Sequence, residues 1–500
     1  MLKLNAFTMA CAVFLFCAAT TMVSHAQVFT TLARFDPSDG TNPIYGSLAQ
    51  GRDGNFYGMT SGGGPNTQSC TAGCGTIFRI TTAGALTEIY SFCAQVNCTD
   101  GYAAYSSLIL GTDGNFYGTN SRGGFRDGGT ILEVTAAGKL TTLYRFCQRM
   151  YLTFCLDGQY SETPLVQGSN GNFYGSTTEG GSKVGNYGAI FEITPAGEFA
   201  KLHAFCTKPA CADGNIPSGL VEGTDGNFYG TTSYEGSGDA GTVFRMDPTG
   251  HITTLYAFCL LSDCTDGARP WAGLVQATDG NFYGTAVTGG NSTCTQGCGT
   301  IFKITPQGDF TLLYSFCSQT NCTDGFYPFA GLIQGTDGNL YGTASAGGSN
   351  KATGTIFKIT LGGTLTTLYN FCSQPNCADG ITPNGGLVQG TDGKFYGMTT
   401  GGGTDQCQLG CGTVYSLDVG LGPFVTLNPG SGKAGQAGGI LGQGLTGTTS
   451  VSVNGIPANF TVVSDTFIRA TVPAGATTGY VTVTTPSGKL SSNKPLVVIR

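Results

Sequence analysis

One hexapeptide, D-G-N-F-Y-G in its fullest form, recurs along this chain and constrains its fold more than any other feature. It begins at Asp53, Asp113, Asn170, Asp225, Asp279, Asp337 and Asp392, at intervals of 54 to 60 residues. A period of that size is the signature of a repeat architecture. Each unit reads as four short strands; from Pro217 they are Gly219–Glu222, Phe228–Thr232, Gly241–Met246 and Ile252–Phe258. Asp225-Gly226 and Pro248-Thr249-Gly250 supply the tight turns, where Gly takes positive φ at no steric cost. The runs are β-branched and aromatic with weak alternation, as in sheets buried on both faces. Seven such sheets around an axis make a β-propeller.

Counting strands predicts how the ring closes. The G-T-[IV]-F strand starts at Gly75, Gly129, Gly188 (as Gly-Ala), Gly241, Gly299, Gly354 and Gly412. The L-T-T-L-Y-x-F strand also occurs seven times, but one copy, Val28–Phe35, precedes the first unit, and the last unit has none after Leu417. The expected fold is therefore all-β: a seven-bladed β-propeller whose N-terminal strand completes the last blade as its outermost strand, hiding two sheet edges. From Gly422 onward the hexapeptide and the cysteines stop, and short alternating strands such as Ser450–Val453 and Tyr480–Val483 indicate a separate small β-sandwich. The expected domains are 27–420 and 421–500.

Lys3, the apolar stretch Ala6–Val23 and Ser24-His25-Ala26 read as a signal peptide over residues 1–26, cleaved before Gln27. No later stretch approaches the length of an apolar membrane span, so the mature chain is expected to be a monomer without a transmembrane segment, secreted, periplasmic or at the cell surface. A net charge of −7 and a pI near 5 exclude nucleic acid, which demands clustered Lys and Arg. The cysteines beyond the signal fall in nine close pairs: Cys70 with Cys74, Cys93 with Cys98, Cys147 with Cys155, Cys206 with Cys211, Cys259 with Cys264, Cys294 with Cys298, Cys317 with Cys322, Cys372 with Cys377 and Cys407 with Cys411. Every loop holds two or none. Export and parity favour disulfides within each loop; zinc would need two pairs converging as free thiolates.

Across residues 28–418, the L-x-Q-G-x-D-G-N-F-Y-G, G-T-I-F-K-I-T and L-T-T-L-Y-x-F segments resemble the GloVer-type tandem repeats of exported proteins from environmental bacteria. That resemblance brings no catalytic residues and implies a varied C-terminal module, often for surface attachment. Residues 422–500 resemble an IPT/TIG domain, an Ig-like module, through Leu427-Asn428-Pro429-Gly430-Ser431-Gly432, Val453-Asn454-Gly455-Ile456-Pro457-Ala458, Ala470-Thr471-Val472-Pro473 and Gly479-Tyr480-Val481-Thr482-Val483. The resemblance implies a spacer or interaction module.

The loops sort by face. Turns between strands one and two, and three and four, are short and uniform. Those between two and three, and between units, lie on the other face and carry all the cysteine pairs. Variable loops held by a rigid scaffold are where binding residues sit, and pre-stiffened loops lose less entropy on binding. This stapled face is the expected functional face. It carries a second aspartate series: Asp39, Asp100, Asp157, Asp213, Asp266, Asp324 and Asp379, each before Gly. One reading is an Asx-turn that steers the chain inward; the other is a ring of carboxylates at a channel mouth that attracts cations. No D-x-D-x-D run supplies the converging oxygens that Ca²⁺ requires, so no cofactor or metal is expected. The same loops carry Tyr102, Tyr105, Tyr151, Phe154, Tyr160, Trp271, Phe326, Tyr327 and Phe329, which either pack over the inner strands or stack on sugar rings or a protein partner. His203 and His251 are placed in an outer strand and an opposite turn, away from any nucleophile at the stapled mouth. The expectation is a non-catalytic binding or adhesion protein for an extracellular polysaccharide or surface protein. The alternatives are a hydrolase or lyase using mouth carboxylates, and a structural matrix component.

Overall fold

The computed structural model describes residues 27–67, 69–349 and 353–499; the expected signal peptide lies outside them. Each hexapeptide places Phe and Tyr at adjacent positions of a strand, so their rings emerge on opposite faces of one sheet. That alternation joins each sheet to the next. Tyr57 packs on Phe116 at 4.1 Å between ring centroids, Tyr117 on Phe173 at 4.0 Å, Tyr174 on Phe228 at 4.2 Å and Tyr229 on Phe282 at 3.9 Å. Leu340 replaces Phe in the sixth unit and packs in one core cluster with Tyr283. Tyr341 then meets Phe395, and Tyr396 of the last sheet meets Phe56 of the first at 4.1 Å. The Gly of F-Y-G makes room for the third strand: a Cβ on Gly230 would lie 2.6 Å from the Phe244 ring.

Among the described residues, the repeat region comprises seven antiparallel four-stranded sheets. The fourth is representative: Asn215–Glu222, Phe228–Tyr234, Thr242–Met246 and Ile252–Ala257 pair in sequence order. The seventh takes its outer strand from the other end of the chain. Val28–Arg34 pairs antiparallel with Thr413–Asp418, from Val28 opposite Asp418 to Arg34 opposite Thr413. Phe29 lies flat on Tyr369 of the sixth sheet at 3.8 Å, the same rim contact as Phe199 on Tyr144 and Phe310 on Tyr256.

A belt of hydrogen bonds repeats from sheet to sheet. The side-chain oxygens of Gln167, Gln276, Gln334 and Gln389 accept from the backbone N–H of Thr112, Thr224, Thr278 and Thr336 in the preceding sheet. Glu222 accepts from Ser169 in the same way. Where Leu110 interrupts the series, Arg52 donates to the carbonyls of Thr112 and Asp113. Gln50 of the first sheet accepts from Thr391 of the last at 3.0 Å. The first and last sheets thus meet through the same ring and amide contacts as sequential neighbours.

Tyr415 is the exception in the third strands, where Phe78, Leu132, Phe191, Phe244, Phe302 and Phe357 occupy its position. Its hydroxyl is buried and has no hydrogen-bond partner. An unsatisfied buried hydroxyl is costly, and its removal leaves the ring's packing intact. Tyr415→Phe is expected to stabilise the fold by about 1 kcal/mol, read as a raised denaturant midpoint with an unchanged slope.

The C-terminal residues form two antiparallel four-stranded sheets and a parallel pair, Ser431–Lys433 with Val497–Ile499. Val425, Ile440 and Ile468 from one sheet region and Val451, Val453, Val481 and Val483 from the other share a single core. This unit touches the turn face of the repeat region. Thr466 Oγ1 donates to the Arg52 carbonyl at 2.7 Å, Asn428 Nδ2 lies 3.2 Å from the Leu110 and Gly111 carbonyls, and the Arg52 guanidinium sits 4.5 Å from the centre of the Phe467 ring.

Candidate functional site at the mouth of the stapled face

All nine cysteine pairs are disulfides within their own loops, on the face opposite the C-terminal unit. Three close the loop that leads into a third strand: Cys70 bonds to Cys74, Cys294 to Cys298 and Cys407 to Cys411. Six staple the connections between sheets: Cys93 bonds to Cys98, Cys147 to Cys155, Cys206 to Cys211, Cys259 to Cys264, Cys317 to Cys322 and Cys372 to Cys377. In five of these six, the second cysteine (Cys98, Cys211, Cys264, Cys322 or Cys377) ends a single turn of 3-10 helix. These short turns are not among the strands expected from the sequence. They arise because so short a cystine loop folds the chain back on itself, and each second cysteine takes a positive φ to do so.

All six connections share one construction, built around the second aspartate series. In the sixth unit Asp379 is fully buried. Its carboxylate accepts from the Tyr369 hydroxyl at 2.7 Å and from the backbone N–H of Ser373 and Gln374 at 2.9 and 3.2 Å. Asp100 accepts from Tyr90, Ala94 and Gln95, and Asp324 from Tyr314, Ser318 and Gln319. Asp157 takes Tyr144 and two backbone N–H groups, and Asp266 takes Tyr256 and the Leu260 N–H. In the third unit His203 replaces the tyrosine and lies 3.2 Å from Asp213.

Each carboxylate is thus committed to its own outer strand and cystine loop. Burial tends to raise the Asp213 carboxyl, but the bonds from His203 and Thr207 outweigh it and hold the group below its usual range. Asp39 departs from the series. The strand before it has Ala33 at the tyrosine position and no cystine follows, so Asp39 stays partly exposed and accepts from the Asp36 N–H. Among the described residues, the side chains grouped closely enough to share a metal are Cys70, Cys74 and Cys93, and Cys294, Cys298 and Cys317. All of these sulfurs are tied up in disulfides and so are not thiolate ligands.

The aromatic candidates divide. Tyr102 bridges to the Arg122 backbone, and burial with a nearby Asp127 pushes its phenol up to about 12. Tyr160 lies under the Arg122 guanidinium at 4.3 Å. Phe326 and Tyr327 pack edge to face at 4.8 Å, and the Tyr327 hydroxyl donates to the Thr295 carbonyl. Those four are engaged in loop packing. Tyr105, Trp271 and Phe329 share a different register, three residues before the inner-strand leucines Leu108, Leu274 and Leu332.

That register carries Tyr45 in the first unit, Glu162 in the third and Asn384 in the seventh, residues that sequence reasoning passed over. Tyr45 and Phe329 come from the first and sixth units, yet their rings lie 5.9 Å apart. Burial pushes the Tyr45 phenol up, and Glu162 and Tyr105 are close enough to add to that effect. Burial also raises the Glu162 carboxyl, opposed by the Ser121 hydroxyl it accepts from at 3.0 Å and by Arg122. Trp271 remains 37% exposed and Tyr45 48% exposed. The mouth therefore presents flat rings and a half-buried carboxyl group, while the Asn384 amide nitrogen in the same register is turned to Thr400. Such a set can stack on an apolar ring face and exchange hydrogen bonds with hydroxyls.

Stacked four-stranded sheets, local disulfides and a mouth lined from several units define an all-β, propeller-like repeat protein of the extracellular type. The chain belongs to the Gloeobacter/Verrucomicrobia repeat family, whose model matches residues 18–222 and 216–456. The second match runs past the last repeat into the C-terminal unit. No curated protein matches. Among solved structures, a fungal alcohol oxidase of the AA5 family in complex with copper is 13% identical, with a TM-score of 0.47 over 94% of this chain and 98% of that one. The extracellular domain of a hybrid two-component system from B. thetaiotaomicron is 10% identical, with a TM-score of 0.48 over 94% of this chain and 57% of that one. A luciferin-regenerating enzyme is 12% identical, with a TM-score of 0.39 over 80% and 98%.

Proposed function

We propose that residues 27–420 form a closed seven-bladed β-propeller, that residues 421–500 form an Ig-like IPT/TIG module, and that the exported protein is a non-catalytic binding protein for an extracellular polysaccharide. The belt of Gln and ring contacts that returns from Thr391 and Tyr396 to Gln50 and Phe56 supports the closed ring. The observation that carries the function is the meeting of Tyr45, Tyr105, Phe329 and Glu162 at the mouth of the stapled face. Saccharides offer an apolar ring face to an aromatic side chain and hydroxyls to a carboxyl or amide. Rings set on stapled loops are already ordered, so little entropy is lost on capture.

A glycan array with the mature protein is expected to give a discrete set of binders. Tyr45→Ala and Trp271→Ala should each weaken them roughly tenfold, about 1.4 kcal/mol, with far-ultraviolet circular dichroism unchanged. A blank array, or binders indifferent to both substitutions, would overturn the reading. Capture of an envelope protein in place of glycan would turn the same mouth into a protein-docking site.

A further inference from the structure

The connection between the second and third sheets differs from the others. Five inter-sheet cystines span a sequence separation of 5, but the bond from Cys147 to Cys155 spans 8. The extra residues form a β-hairpin, Met150–Tyr151 paired with Phe154–Cys155. Its turn holds Leu152 at a φ of 54°, in a region disfavoured for leucine. Leu152 is 80% exposed and Tyr151 47%. A hydrophobic tip that is both strained and solvated calls for a functional reason.

Two neighbouring loops carry similar tips: Val184 is 75% exposed and Phe125 45%. Lys183 Nζ lies 5.4 Å from the centre of the Tyr151 ring, which joins the Val184 loop to the hairpin. The Phe125 loop abuts the same cystine, since a Cβ on Gly128 would lie 2.9 Å from Cys147. Every tip has a cation beside it in the chain: Arg126 after Phe125, Arg149 before the hairpin strand, Lys183 before Val184. All three cations are exposed. Among the described residues, the ion pair in this sector is Arg122 with Asp127, so Arg126, Arg149 and Lys183 have no carboxylate partner. The acids beneath the hairpin are engaged elsewhere: Asp157 is buried and bonded to Tyr144, and the Glu179 carboxylate accepts from the Gln159 amide.

We propose that this sector docks the protein on an anionic lipid surface, with Leu152, Val184, Tyr151 and Phe125 entering the headgroup region and the three cations meeting lipid phosphates. Interfacial binding combines buried apolar area with attraction to anionic lipid, and long basic side chains reach from an apolar patch to the charged layer. The exposed tips stand on three separate loops, which suits a deformable surface better than a shaped protein partner. The chain's net charge of −7 opposes non-specific attraction to such a surface, so this sector would set the orientation.

The test is sedimentation of the full mature protein with vesicles of phosphatidylglycerol and phosphatidylcholine, against phosphatidylcholine alone. Binding is expected to the mixed vesicles, weaker by about fivefold or more on the neutral ones and reduced by added salt. Leu152→Asp and, separately, Arg149→Glu with Lys183→Glu should each reduce binding by about fivefold or more. Leu312→Asp, on an exposed outer strand elsewhere, serves as a control and should not. Melting curves of all variants report whether the fold survives. No binding to mixed vesicles, or binding unmoved by both rim variants, overturns the proposal, as does capture of a protein by this rim without vesicle binding. None of these outcomes depends on the glycan reading.

Discussion

Deleting residues 27–35 is expected to remove most of the stability of the repeat region, with a large fall in the denaturant midpoint and loss of a single cooperative transition. The deletion strips Val28–Arg34 from the edge Thr413–Asp418 and exposes a row of unpaired backbone groups. It removes Phe29, stacked on Tyr369, and Phe35, fully buried and 5.1 Å from Phe78 of the first sheet. Phe35→Ala alone should cost about 3–5 kcal/mol, a large part of the roughly 5–15 kcal/mol that holds an ordinary domain together. The strand also ties the start of the chain to its last repeat, so in the proposed closed propeller its loss lets the ring open rather than fray. A peptide of residues 27–36 added in trans should recover part of the midpoint. A truncated protein that melts like the parent would show that closure contributes nothing.

Much of this was legible because the repeat multiplies every weak signal. One F-Y pair says little; seven at equal spacing identify a strand whose two rings must face two different neighbours. The displaced Val28–Phe35 copy was readable by counting alone. The role of the second aspartate series was less so. The sequence offered a turn or a ring at the mouth, but the partners lie back along the chain. Tyr90, Tyr256, Tyr314 and Tyr369 each stand ten residues before their aspartate, across a cystine loop whose path no local pattern reports. One clue was available: where Ala33 replaces the tyrosine, the cystine is missing too. The mouth was only half legible for the opposite reason. Tyr45, Tyr105, Trp271 and Phe329 share a register with Glu162 and Asn384, so a search by residue type among the inter-unit loops finds three of the rings and misses Tyr45, the acid and the amide.

Those tyrosine–aspartate clasps make alkaline unfolding the second large expected effect. A second set of clasps joins Tyr57, Tyr117, Tyr283, Tyr341 and Tyr396 to the aspartate that opens each one's own hexapeptide, and burial, then that hydrogen bond, pushes these phenols well above the ordinary value of 10.0. The same causes act in that order on Tyr90, Tyr144, Tyr256, Tyr314 and Tyr369 at the rim. A phenol raised in the folded state favours folding fully below its unfolded value, and this contribution is lost as pH rises from there toward the folded value. Each such group contributes a slope of up to about 1.4 kcal/mol per pH unit, so many acting together make the loss steep. Stability should stay flat from neutral pH to about 10 and then collapse over a narrow range. Tyrosinate absorbance should rise in one step, together with loss of the circular dichroism signal. Tyr314→Phe removes one titrating group and one donor to Asp324, so it should cost about 1–3 kcal/mol at neutral pH and make the alkaline limb shallower. The acid limb has the opposite sign. In Asp225 and Asp279, burial is outweighed by bonds from Asn227 and Tyr229, and from Asn281 and Tyr283, which hold both carboxyls below 3.8. Their contribution is present above that value and is lost as pH falls through the folded one. A graded phenol titration near pH 10 with the fold intact would mean that the clasps are solvent-accessible, and that the cystine loops, rather than the buried bonds beneath them, keep the stapled face in shape.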